Sequence, residues 1–154
     1  MIDNAAFDAA RRRATARDGV LTGQYVLVDG ELLAQAYGCW EPDGVHVVVN
    51  ADSPGAVQDR PGRWIVQVPH ERIAMSVSFT TQARHRAGGM LELTARDGDA
   101  VRATWWRGPN HSDSRSIPDG FMWEKNDDYY YGTVGWGDLD DLTVSVEVHS
   151  SDRT

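Results

Sequence analysis

The chain is predicted to fold as an all-β domain carrying one N-terminal α-helix. Three observations point there: one helical segment at the start, a change to period-two patterning from about residue 20, and turn dipeptides that cut the rest into about ten short β-branched and aromatic runs. No segment after the first has the length or periodicity of a crossover helix, so the strands pair antiparallel.

Residues 4–17, NAAFDAARRRATAR, contain no Gly or Pro. Asp3 or Asn4 can accept hydrogen bonds from the first free amides, and Asp18-Gly19 supplies the stop. Ala6, Ala9, Ala10 and Phe7 form only a thin apolar stripe, which suits a helix packed on the edge of something larger. Arg11, Arg12, Arg13 and Arg17 sit among Asp3, Asp8 and Asp18, the pattern of a solvated helix face.

The clearest hairpin is Gln24 to Tyr37, turning at Asp29-Gly30, a dipeptide that tolerates the positive φ angles of a type I′ turn. Val45 to Val49 is the next strand, followed by a loop over residues 50–62. Arg63 to Val68 and Ile73 to Thr80 follow, separated by Pro69-His70-Glu71. Met90 to Arg96 and Ala100 to Arg107 form a second hairpin around Asp97-Gly98-Asp99, with Leu91, Leu93 and Ala95 alternating with Glu92 and Thr94, and Val101, Ala103 and Trp105 with Arg102 and Thr104. Phe121–Lys125 and Tyr129–Val134 add two more strands. In the last, Leu142, Val144, Val146 and Val148 alternate with Thr143, Ser145 and Glu147, as a half-buried strand requires. The short links favour a barrel, with a two-sheet sandwich as the alternative. Neither a repeat nor a linker divides the chain, so residues 1–154 are expected to form a single domain, helix at 1–18 and strands over 20–149.

A chain of 154 residues buries enough surface to fold without staples, and its one cysteine cannot close an internal disulfide. Cys39, between Gly38 and Trp40, is expected to be a small buried hydrophobe. No apolar run approaches membrane-spanning length and no export signal opens the chain, so the expected setting is soluble and cytoplasmic. Fourteen of the 15 basic residues are Arg, with Lys125 the exception, a skew with no functional reading.

Charge is distributed unevenly. Residues 1–107 carry 13 acids and 12 bases, whereas residues 108–154 carry 10 acids and 3 bases, so nearly all of the net charge of -8 lies in the last third. Eight of the 14 aromatic residues fall within 105–136, six of them inside that last third. Such a surface repels polyanions, which argues against nucleic acid as a partner.

The motifs of common enzymes and cofactor sites are missing: there is no phosphate-cradling loop, nucleotide fingerprint, zinc-protease helix or nucleophile elbow. The five histidines show no ligand-pair spacing, and His85, between Arg84 and Arg86, reads as part of an exposed turn. Asp138, Asp140 and Asp141 gather oxygens that could meet Ca²⁺ but lack the spacing of a helix-loop-helix site, and a solvated acidic turn is expected. No cofactor or metal is therefore expected. Residues 107–120 form a long polar loop holding His111 and Asp113.

The function expected is a non-enzymatic binding module, of the kind that inhibits or confers immunity. Its acidic, aromatic surface over 105–141 would engage a basic protein or a cationic ligand. The residues expected to carry it are Trp105, Trp106, His111, Asp113, Trp123, Asp127, Asp128, Tyr129, Tyr131 and Trp136. The alternative is a small barrel enzyme or ligand carrier with an apolar pocket gated by 107–120.

Overall fold

A computed structural model describes residues 4–86, 89–106, 120–124 and 129–149, with the backbone alone at 106, 124 and 129. The helix α1 spans Asn4–Asp18. Eleven strands follow among the described residues: β1 (Gly23–Val28), β2 (Glu31–Ala34), β3 (Val45–Val49), β4 (Val57–Arg60), β5 (Arg63–Val68), β6 (Ile73–His85), β7 (Met90–Asp97), β8 (Ala100–Trp106), β9 (Met122–Glu124), β10 (Tyr129–Gly135) and β11 (Leu139–His149). The molecule is thus mostly β with one N-terminal helix, as the periodicity predicts.

The barrel is corrected. One sheet runs β2-β1-β6-β7-β8-β10-β9, with β11 also paired to β6, and does not close on itself; β3-β5-β4 form a second sheet. Short links make consecutive strands neighbours, but they leave open whether successive hairpins join one sheet or two. Residues 50–62 differ from expectation as well, because Val57–Arg60 pairs with β5 as a short exposed strand.

The chain divides into two compact units, Met1–Ala16, Gly23–Phe79 and Val146–Thr154 in the first, Arg17–Thr22 and Thr80–Ser145 in the second. In the first, Asp29 (φ 51°) and Gly30 (φ 82°) make the tight turn between β1 and β2. Both faces of β1 are covered. Val26 and Val28 pack with Val45, Val47 and Val68 of the second sheet, while Tyr25 meets Phe79 edge to face at 5.3 Å. Ala10 and Ala14 are fully buried, and the Arg11 guanidinium lies 5.8 Å from the Phe79 ring centroid.

In the second unit the far half of β6 pairs with β7, and β7 with β8 across a bulge between Leu93 and Ala95. Val20, Ala83, Leu91, Leu93, Val101, Ala103, Trp105 and Val134 form its core. Thr81 satisfies its buried hydroxyl by donating to the Leu21 carbonyl at 2.6 Å. On β10, Gly132 leaves room for the Phe121 ring, which a Cβ at that position would overlap. The alternation expected of β11 holds only in part: Val144 and Val146 are half-buried, but Leu142 and Val148 are 50% and 59% exposed. His85 ends β6 half-buried rather than sitting in an exposed turn.

Candidate functional site

Strand pairing sorts the aromatic residues of the second unit onto two faces. Tyr130 stands opposite Trp105 on β8 and Trp123 on β9, and because side chains alternate, Tyr131 stands on the other face between Thr104 and Met122. On the first face, Tyr130 packs against Trp105 at 5.8 Å and against Trp123 at 4.7 Å, giving a ladder of three rings. It runs from Trp105, 2% exposed, to Trp123, 37% exposed. Trp105 therefore belongs to the core, and only the outer end of the ladder reaches solvent.

On the opposite face Tyr131 and Met122 are 40% and 61% exposed. They line an open groove of about 690 Å³ with Thr94, Arg102, Thr104 and Thr133. The hydroxyl oxygen of Thr104 is buried and has no hydrogen-bond partner among the described residues. Strand β9 terminates the sheet path, so a row of exposed side chains lies beside a strand edge.

Trp136 is set apart from this groove. It begins a 3-10 turn, Trp136–Asp138, and the Arg96 guanidinium covers its ring at 3.7 Å. The acidic turn that follows faces arginines: Asp138 lies 3.7 Å from Arg86 and Asp141 3.4 Å from Arg84. Among the described residues no three His, Cys, Asp or Glu gather as a metal site. Trp106 and Tyr129 pair through their backbones. Their side chains, together with His111, Asp113, Asp127, Asp128 and the 107–119 segment expected to gate a pocket, lie outside the described residues.

The first unit holds a second cluster, which the sequence did not reveal. His149 at the end of β11 and Ser78 on β6 share a hydrogen bond of 2.6 Å between Nε2 and Oγ. His149, Gln24, Ser76, Gly38 and Trp40 line a pocket of about 450 Å³. Trp40 is fixed on two sides, stacked on His70 at 5.2 Å and donating from Nε1 to Gln35 Oε1 at 3.3 Å. His70 in turn bonds the Glu41 carbonyl through Nε2 at 2.8 Å. Between Gly38 and Trp40, Cys39 is exposed, which corrects the buried thiol expected; the strand ends at Ala34 and an irregular segment carries Cys39 outward.

Beside this segment Arg63 binds the Asp59 carboxylate through Nε and Nη2, and Tyr37 donates to the same carboxylate at 3.1 Å. The Arg63 hydrogen bonds hold the Asp59 carboxyl down at about 2. The hydrogen bond to Asp59 pushes the Tyr37 phenol above its ordinary value.

No described helix is long and apolar enough to cross a membrane. Comparison with family models, curated proteins and solved structures finds no match, so the reading of both sites rests on their geometry.

Proposed function

We propose that the protein is a binding module that engages a basic protein segment through the exposed β9–β10 end of its larger sheet. One observation carries this reading: Met122, Trp123 and Tyr131 are all substantially exposed on two adjacent strands, one of them terminal in the sheet path. Met122 and Tyr131 share the groove face and Trp123 the opposite one, so a segment seated along the β9 edge finds anchors on both faces.

Charge supplies the choice of partner. Asp119, Glu124, Asp127 and Asp128 flank the same segment in sequence, against Lys125 alone. A cationic partner is steered to such a stretch, and its Arg or Lys side chains dock on ring faces. Arg102, on the groove side of β8, offers a donor for a partner carbonyl. The Asp138–Asp141 turn contributes less than its sequence promises, because Arg84 and Arg86 stand against it.

The test compares association kinetics of Lys- and Arg-rich peptides with the wild type and with the Asp127→Asn, Asp128→Asn double variant over a salt series. Slower association and a shallower salt dependence in the variant are expected. Identical kinetics at every salt concentration would remove the electrostatic half of the proposal.

A further inference from the structure

We infer that the pocket lined by Trp40 and Ser76 binds a neutral polyhydroxylated ring, of the size and chemistry of a pyranose. This site lies in the first unit and is independent of the β9–β10 surface.

The leading observation is Ser76. It is 3% exposed, stands opposite Val26 in the β1–β6 pair, and lines the pocket. Its hydroxyl can donate to and accept from a ligand group that enters the pocket.

The other walls define the ligand. The Trp40 ring is held before any ligand arrives, by His70 stacked on it and by Gln35 at its Nε1, so little freedom is lost on stacking a ring against it. His149 is likewise oriented by Ser78. Gln24, Ser76 and His149 can each both donate and accept hydrogen bonds, as ligand hydroxyls do. Among the described residues no carboxylate, guanidinium or ammonium lines the pocket, which disfavours a charged ligand. An aromatic platform beside paired donor-acceptor groups matches a sugar ring, with its C–H face on the indole and its hydroxyls on the polar wall. A volume of about 450 Å³ admits one such ring with its waters.

The probes are methyl pyranosides of the gluco, galacto, manno and xylo series, titrated by calorimetry and ¹⁵N correlation spectra, with adenosine and uridine beside them. The inference expects saturable millimolar binding of at least one pyranoside, with shifts at Ser76 and the Trp40 indole. Ser76→Ala should weaken that binding roughly fivefold to tenfold. Gln24→Ala, at an exposed residue, should weaken it similarly without touching the core. Failure of every pyranoside, preference for the nucleosides, or undiminished binding by Ser76→Ala would each overturn the assignment.

Discussion

The Asp59 carboxylate joins Arg63 and Tyr37 through side-chain hydrogen bonds. Its carboxyl sits at about 2 in the folded protein against an ordinary 3.8, so the unfolded chain takes up the proton first. The stability it contributes is therefore complete above about pH 4 and is lost as pH falls toward 2. Acid unfolding of Asp59→Asn should show a shallower loss of stability across that window than the wild type, and equal slopes would contradict the assignment. None of this was legible beforehand, because Tyr37, Asp59 and Arg63 come from separate elements and residues 50–62 carry no strand periodicity. Cys39 failed for a related reason: composition gives the usual fate of a thiol, whereas its position is set by an irregular segment between strands. Ser78 and His149, 71 residues apart, form a pair that no spacing rule finds.

At the level of elements, period-two alternation was the informative signal. It placed Leu91, Leu93, Ala95, Val101, Ala103 and Trp105 on inward positions, and the structure buries all but Ala95, which lies past the bulge in β7 and is half-buried. In the structure the same alternation along β10 puts Tyr130 on the core side and Tyr131 on the groove side. It was less reliable on β11, where Leu142 and Val148 remain exposed, because alternation gives the direction of a side chain but not whether another layer covers it. Two neighbours on β10 should consequently respond in opposite ways. Gly132→Ala forces the Phe121 ring away from its seat and should cost about 1–3 kcal/mol by denaturant titration. Tyr131→Ala removes a half-exposed ring and should cost less than about 1 kcal/mol, while weakening partner binding. Equal stability losses at the two positions would refute the division into a core face and a binding face.

For the whole molecule, the strand-rich content followed from turn chemistry and alternation, but the arrangement of strands did not. Links of hairpin length occur inside both sheets, so the excursion of residues 45–68 into a second sheet left no mark in link length. Charge behaved similarly. The concentration of acids in the last third is real in sequence, yet Asp138 and Asp141 meet Arg84 and Arg86 from outside that third. What survives is narrower: exposed Met122, Trp123 and Tyr131, with four carboxylates adjacent to β9 in the chain. The most direct test of the binding proposal is a ¹⁵N correlation titration with an Arg-rich peptide, using an acidic peptide of the same length as control. The account predicts saturable shifts centred on Arg102, Thr104, Met122, Trp123 and Tyr131 with the basic peptide alone. Shifts centred elsewhere, or the same response to both peptides, would contradict it.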